Sequence, residues 1–291
     1  MTPSRMIIAP LLVLFLGFLY LTYRADEQYA FGMIGCAVLV AAVFSLAPQV
    51  DWRWYVRNPP DLTPPLRDIL ERFHPFYRRL GEGEKRRFRQ RCALYVIATD
   101  FMPITADADP VPEDLRVVMA SNAVQMLFGR EELLLEKYDK VVLYPQPFPS
   151  PQFPLYFHSA EIFEEDGVIL LAAAPLMQGT FQPEVFLNVG MYAVGQAFVS
   201  QFKEQKYPDM TTANAIECLV KISGFSVEKI KETVGLPEID WQAMGIAFFI
   251  LFSHRFSEIL PDEARALQEI LYPTTSPMQP YLNPHLQNSE N

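Results

Sequence analysis

The sequence predicts an α+β protein, in which a pair of membrane-spanning helices precedes a mostly helical domain with a small β-sheet. Two apolar runs near the start have the length that crosses a bilayer. Most of the remaining chain carries apolar residues at helical spacing. Three short segments near the middle have instead the composition of strands. A chain of 291 residues accommodates both a membrane segment and one good-sized domain.

The membrane segment is predicted at residues 1–57. Residues 6–23 form an apolar run without charge, and a second apolar run covers residues 29–48. Only the short polar stretch 24–28 separates them. The two runs are therefore predicted to form a helical hairpin in the lipid bilayer.

Basic residues predict the orientation of this hairpin. They are concentrated outside the two runs, at Arg5, Arg53, Arg57 and Arg67, whereas the loop between the runs has Arg24 alone. Because basic residues favour the cytoplasmic side, both termini are expected in the cytoplasm, with the hairpin in an inner or plasma membrane. Trp52, Trp54 and Tyr55 follow the second run, where an aromatic belt would lie.

A proline-rich linker at 58–65 leads into the main domain, predicted at 66–272. Helical spacing predicts helices at 66–80, 82–98 and 112–128. The second of these carries a basic cluster, composed of Lys85, Arg86, Arg87, Arg89 and Arg91. Two interpretations of this cluster remain open, contact with anionic lipid and a solvated helix face.

Strands are predicted at 140–144, 154–157 and 167–172, which are short apolar runs that include β-branched or aromatic residues. The interval between the first two contains several prolines, namely Pro145, Pro147, Pro149, Pro151 and Pro154. Since proline cannot donate to a strand ladder, this interval is expected to be an irregular loop at the boundary of the sheet.

The next helix carries the residues that bear most directly on function. It lies within the apolar segment 183–202, and Asn188, Tyr192 and Gln196 fall four apart, so they are expected on one helix face. Further helices are predicted at 210–223, 227–234, 239–252 and 256–272, with Gly224 and Gly235 as stops. The polar tail 273–291 is predicted to be disordered.

The segment that begins at Asn188 resembles the active-site helix of the Mlc titration factor A family of zinc peptidases. In that family an Asn-Val-x-x-His-Glu-x-x-His helix supplies two zinc ligands and the catalytic Glu. The strand segments Val141-Val142-Leu143-Tyr144-Pro145 and Gly167-Val168-Ile169-Leu170-Leu171 are similar to its strands, and the helix around Ala247-Phe248-Phe249 is similar to the one that carries its third ligand. The resemblance covers about 66–272.

The resemblance implies a zincin-like fold, bound zinc and cytoplasmic aminopeptidase activity, and in one family member binding of a sugar-regulon repressor. The residues at the family's ligand and base positions are Tyr192, Ala193, Gln196 and Ile246. A phenol and an uncharged amide are poor zinc ligands at neutral pH, and alanine and isoleucine offer no donor. We therefore expect neither zinc nor any other cofactor, and no peptidase chemistry at these positions.

Three functions are compatible with the sequence. The first is a membrane-anchored, catalytically inactive peptidase relative that binds an unidentified protein or peptide through a groove between the third strand and the helix, lined by Asn188, Tyr192, Gln196, Val168 and Leu170. The second is an active zinc-dependent aminopeptidase or other hydrolase with a non-standard site, for which His254 and Glu258 are the candidate pair. The third is a structural membrane component. Tyr192 and Gln196 would be ordinary core residues if no ligand binds.

Composition excludes one class of partner and says little about redox state. The net charge of −10 argues against nucleic acid, because phosphate binding needs a basic surface. The three cysteines, Cys36, Cys92 and Cys218, lie too far apart to suggest a metal or disulfide motif.

Overall fold

The computed structural model describes residues 3–103 and 109–273 and divides the chain into two compact units, Met1–Pro60 and Asp61–Asn291. Apart from Pro273, the tail predicted to be disordered lies outside the described residues.

The first unit contains helices α1 (Pro3–Arg24) and α2 (Ala30–Arg57), joined through a short 3₁₀ turn at Glu27–Tyr29. Ser4 donates to the Asp51 carboxylate through its backbone N–H at 2.9 Å and its hydroxyl at 2.7 Å. These bonds connect the start of α1 to the end of α2. Both helices are long and apolar enough to span a membrane, as predicted.

The second unit is mostly helical, with a four-stranded sheet. Its helices are α3 (Pro64–Phe73), α4 (Pro75–Arg79), α5 (Glu82–Ala98), α6 (Glu113–Leu127), α7 (Ala173–Phe181), α8 (Val189–Gln201), α9 (Ala213–Ser223), α10 (Val227–Val234), α11 (Trp241–Leu251), α12 (Ser253–Ile259) and α13 (Pro261–Leu271). The predicted α+β class, with a small sheet in a helical domain, is confirmed.

The strands are β1 (Asp100–Met102), β2 (Lys140–Tyr144), β3 (Ala160–Phe163) and β4 (Val168–Ala172), arranged in the order β1-β2-β4-β3. β1, β2 and β4 run parallel to one another, whereas β3 runs antiparallel to β4. The carboxyl ends of three strands consequently lie at one end of the sheet.

The two faces of the sheet are covered differently, because successive side chains of a strand point to opposite faces. Residues Val141, Leu143, Ile169 and Leu171 belong to the large core that also contains α6, α8 and α11. Val142 and Leu170 point to the other face, where they pack with Phe148 in a small separate cluster.

The prediction of a strand at 154–157 is wrong, and those residues form a loop. The observed strand, β3, begins three residues later, because Pro151 and Pro154 cannot donate hydrogen bonds to a strand ladder. β1 was not predicted, since three residues are too few to display a strand period. The other two predicted strands are confirmed as β2 and β4.

Several helix predictions also need correction. The helix predicted at 66–80 is divided into α3 and α4, because Pro75 disfavours helical geometry at His74. The helix predicted at 256–272 is likewise divided, at Leu260 before Pro261. α7 was not predicted at all. The stops at Gly224 and Gly235 are confirmed, and both glycines have left-handed backbone angles, with φ of 78° and 81°.

Candidate functional site

Helix α8 begins with a buried polar network rather than an open face. The Asn188 side chain caps the helix by accepting from the backbone N–H of Met191 at 2.9 Å, and its Nδ2 donates to Asn122 Oδ1 at 2.9 Å. Asn122 Nδ2 in turn donates to Thr180 Oγ1 at 2.8 Å. This network joins α6, α7 and α8, and Asn188 is therefore a structural residue.

The side chains at the family's metal positions are part of the core. Tyr192 is 1% exposed, and Ala193 and Ile246 are fully buried. The Tyr192 hydroxyl accepts a hydrogen bond from the backbone N–H of Asp240 at 3.1 Å. Burial raises the pKa of the Tyr192 phenol, which disfavours the anionic form that a metal would need.

The two helices that carry these positions approach each other closely. A Cβ on Gly195 of α8 would lie 2.9 Å from the backbone oxygen of Ala243 in α11. Glycine therefore permits the close crossing of α8 and α11, which we call the α8–α11 crossing. Gln196 is only partly buried, but its Oε1 atom is enclosed and accepts no hydrogen bond from the described residues.

These residues do not fit a zinc ion. A tyrosine engaged with the main chain, one amide oxygen and two hydrocarbon side chains cannot supply the nitrogen, sulfur or carboxylate donors that zinc prefers. Within residues 3–103 and 109–273, no group of three His, Cys, Asp or Glu side chains is arranged to hold a metal. No catalytic step is therefore assigned to the α8–α11 crossing.

The groove expected between the third strand and α8 is not formed by the residues named for it. β4, which contains Val168 and Leu170, is hydrogen-bonded on both sides and has no free edge. Leu170 also packs on the sheet face opposite the large core that holds Tyr192. β4 therefore cannot hold an extended peptide by main-chain pairing, because β2 and β3 occupy its two sides.

His254 and Glu258 do pair, with 3.4 Å between Nδ1 and Oε2, but both side chains are well exposed. His254 does not lie on the helix of Ile246, because α11 ends at Leu251 and His254 belongs to α12. The pair therefore lies at the surface and not in an enclosed site.

The basic cluster on α5 is largely committed to contacts within the second unit. Arg91 is buried and donates to the carbonyl oxygens of Leu127 and Phe128 at 3.0 and 3.3 Å. Arg89 binds Asp61 at 2.8 Å, and Lys85 is paired in the same way with Glu71. The cluster is therefore not one solvated face, and a lipid contact would have to use the remaining arginines.

A cavity of about 560 Å³ lies at the carboxyl ends of the parallel strands. Its lining comes from the residues that follow β1, β2 and β4 and from the first turns of α6 and α7: Pro103, Asp109, Val111, Pro112, Asp114, Leu115, Leu143, Pro145, Ala173, Ala174 and Met177. The walls are mainly apolar, and two carboxylates provide the charge. Such an end of a parallel sheet is a common ligand site, and we call it the strand-end cavity.

Sequence reasoning missed this cavity. Its residues are separated along the chain and meet only because three parallel strands end together. The prolines Pro103 and Pro145, each directly after a strand, were the one visible signal.

A buried hydrogen-bonded pair of side chains was also not predicted from the sequence. His158 Nε2 lies 2.9 Å from Glu161 Oε2, and both side chains are almost completely buried. His158 Nδ1 is 3.1 Å from the carbonyl oxygen of Tyr156. The pair therefore connects the end of the proline-rich loop to β3.

The structure is a mostly helical α+β domain, in which the residues of α8 and α11 expected at metal-ligand positions belong to the core. The family model for the glucose-regulated metallo-peptidase M90 matches residues 50–171, which confirms the resemblance to the Mlc titration factor A type of peptidase. The match ends in β4, before α8 begins. Comparisons with curated proteins and with solved structures gave no match.

Proposed function

We propose that the protein is a membrane-anchored, catalytically inactive relative of the M90 peptidases that acts by binding a protein or peptide. The observation that carries this proposal is the α8–α11 crossing. Tyr192 and Ile246 occupy ligand positions there as buried core side chains, and the Tyr192 hydroxyl is already bonded to the main chain. Neither residue is available to bind metal or substrate.

The strand-end cavity is the binding site in this proposal. Its volume of about 560 Å³ is within the range of ligand pockets and suits one or two large apolar side chains of a partner. Asp109 and Asp114 favour a basic residue next to those side chains. The net charge of −10 also favours a basic partner and disfavours nucleic acid.

Anchoring rests on α1 and α2, which are long and apolar enough to span a membrane. With both termini in the cytoplasm, as the arginine distribution predicts, the second unit faces cytoplasmic partners. Labelling of single cysteines placed in the 24–28 loop, performed on intact cells with a membrane-impermeant reagent, tests this orientation. Labelling of the loop supports it, and protection of the loop contradicts it.

Metal analysis and a peptidase assay test the loss of catalysis. We expect full-length protein in lipid nanodiscs, supplied with zinc and then desalted, to hold far less than one zinc per chain. We also expect no hydrolysis of a mixed peptide library above the level of empty nanodiscs. Stoichiometric zinc together with turnover overturns the proposal. If turnover occurs and is lost in His254→Ala, the surface pair of His254 and Glu258 is the active site instead.

Site-specific crosslinking tests the binding role. A photo-crosslinking amino acid at Met177, which lines the cavity, is expected to capture a defined protein or peptide in cells. The matched control is the same amino acid at Ala213, which is exposed at the start of α9. Equal capture at both positions, or none at either, contradicts binding at the strand-end cavity.

A further inference from the structure

The loop at residues 145–157, which we call the proline loop, exposes three consecutive large apolar side chains. Leu155 is 88%, Tyr156 45% and Phe157 70% exposed. Single exposed apolar residues are ordinary, but a contiguous group of this kind marks a surface that contacts a partner or a membrane. The rest of the second unit has its large side chains mostly in the core.

The proline loop is held in a fixed shape by its inner residues. Phe148 and His158 exchange backbone hydrogen bonds at 3.0 Å in both directions, closing the base of the loop. The Phe148 ring stacks on Tyr144 with 4.0 Å between centroids and packs edge-on against His158. The base is therefore anchored to the sheet.

Local bonds also determine the conformation of the tip. The backbone N–H of Phe153 donates to both the hydroxyl and the carbonyl oxygen of Ser150, each at 3.1 Å. The backbone N–H of Tyr156 donates to the carbonyl oxygen of Phe153 at 3.1 Å. His158 Nδ1 lies 3.1 Å from the Tyr156 carbonyl oxygen. Leu155 and Phe157 are consequently presented outward by an ordered loop, so little conformational entropy is lost when they are covered.

We propose that the tip of the proline loop, Leu155-Tyr156-Phe157, inserts into the interfacial region of the bilayer that carries α1 and α2. This inference rests on the membrane anchoring in the proposed function. It adds a second, reversible attachment through which the second unit touches the lipid surface.

The absence of charge favours lipid over a protein surface as the occupant. Between Lys140 and Glu161 the chain has no Asp, Glu, Lys or Arg. Insertion therefore requires no desolvation of a charged side chain. Tyrosine between a leucine and a phenylalanine is also typical of the interfacial layer, where apolar rings enter the lipid and the hydroxyl remains hydrated.

The prolines favour lipid for a second reason. A backbone N–H that enters an apolar layer without a partner is costly, and proline has none. Pro154, directly before the tip, lacks this group, and within the tip the Tyr156 N–H donates to the Phe153 carbonyl oxygen. A loop that bound a protein edge by main-chain pairing would need such donors free.

Chain connectivity provides the third argument. Residues 58–63 join α2 to α3, and an extended chain of that length reaches no more than about 20 Å. Because the loop and the proposed anchor belong to one chain, the bilayer that holds α1 and α2 is present at a high effective concentration for the loop.

Depth-dependent fluorescence quenching tests the proposal on the full-length protein. In a Cys36→Ala, Cys218→Ser background, Leu155→Cys is labelled with an environment-sensitive fluorophore and reconstituted into nanodiscs that contain nitroxide-labelled lipid. Cys92 is retained, since its thiol is fully buried. Phe157→Cys provides a second position, and Glu165→Cys, in the exposed turn before β4, is the matched control.

We expect the labels at 155 and 157 to be quenched at least about threefold more strongly than the label at 165, with the strongest quenching by shallow nitroxides. Equal quenching at all three positions overturns the inference. The exposed tip would then be assigned to contact with an apolar protein surface instead of lipid. Leu155→Glu/Phe157→Glu, which changes exposed side chains only, is expected to give a folded protein whose label at Tyr156→Cys is no longer quenched. Persistent quenching in that variant also overturns the inference.

A label at Leu14→Cys in α1 separates this inference from the anchoring on which it rests. Quenching at 14 without quenching at 155 and 157 shows that the anchor is correct and the loop insertion is wrong. If the label at 14 is itself unquenched by deep nitroxides, the membrane anchoring fails, and the loop insertion fails with it.

Discussion

The α8–α11 crossing and the strand-end cavity belong to the same unit, yet one is filled and the other is open. At the crossing, the family's ligand positions hold Tyr192 and Ile246, which are buried among neighbouring helices. At the strand ends, side chains leave a cavity of about 560 Å³. The proposed binding function therefore uses the open cavity and not the filled crossing.

The largest expected effect tests how completely the crossing is filled. Ile246→Glu restores the residue type of the family's third ligand but buries a carboxylate in hydrocarbon. We expect a loss of about 4 kcal/mol or more in the free energy of unfolding, measured by urea denaturation with far-UV circular dichroism. Ile246→Val, which removes one methyl group, should cost about 1 kcal/mol. A stable Ile246→Glu protein would show that the crossing retains an open site.

The second prediction concerns the polar network that supports α8. Asn188→Ala removes the cap on Met191 and leaves Asn122 without one of its partners. We expect a loss of about 2–4 kcal/mol, because a buried donor or acceptor is left unpaired. Ser226→Ala removes a similar cap from the exposed start of α10 and should cost about 1 kcal/mol. Similar losses in the two variants would mean that Asn188 contributes only a helix cap.

The third prediction uses pH to examine the large core away from the crossing. Burial and the nearby charge of Arg79 lower the pKa of His74 from 6.5 to about 3. Between these values the unfolded chain takes up a proton that the folded imidazole does not, so stability falls as the pH decreases from 6.5. We expect the free energy of unfolding to be about 2 kcal/mol lower at pH 5 than at pH 8.

His74→Asn is the control for this dependence. An asparagine can still cap α4 by accepting from the N–H of Tyr77, but it does not titrate. The difference in stability between pH 5 and pH 8 should therefore nearly vanish in this variant. An unchanged pH dependence would assign it to other groups.

Features of the structure that depend on a few neighbouring residues could be predicted from the sequence. The start of α6 at Glu113 and the stops at Gly224 and Gly235 were predicted, because helix polarity and left-handed glycine act within one turn. α7 was missed because Ala173–Phe181 follows β4 with the same apolar composition, so no boundary is visible. The assignment of Tyr192 and Ile246 to ligand positions came from the resemblance, and Tyr192 was expected in the core if no ligand binds, but its hydrogen bond with the Asp240 N–H was not predicted.

Non-local features could not be predicted at all. The strand order β1-β2-β4-β3 places β1 and β3 at the edges, and no sequence periodicity indicates that order. As a result the sequence could not show that Val168 and Leu170 lie on an inner strand, on the sheet face opposite the large core. The strand-end cavity depends on the same order, because it exists only where β1, β2 and β4 end side by side.

The last prediction tests the strand-end cavity. It combines the smallest expected change in stability with a large expected change in binding. Ala174→Trp places a large ring in the strand-end cavity, where Ala174 is only partly buried. We expect stability to change by less than about 1 kcal/mol, since the ring enters existing space. Crosslinking from Met177 should fall at least about tenfold, because the ring occupies the volume that the partner's side chains would fill. Ala213→Trp, at an exposed position of α9, should leave crosslinking unchanged. If Ala174→Trp binds as well as the unmodified protein, the cavity is a packing defect rather than a site, and the open and filled regions do not differ in function.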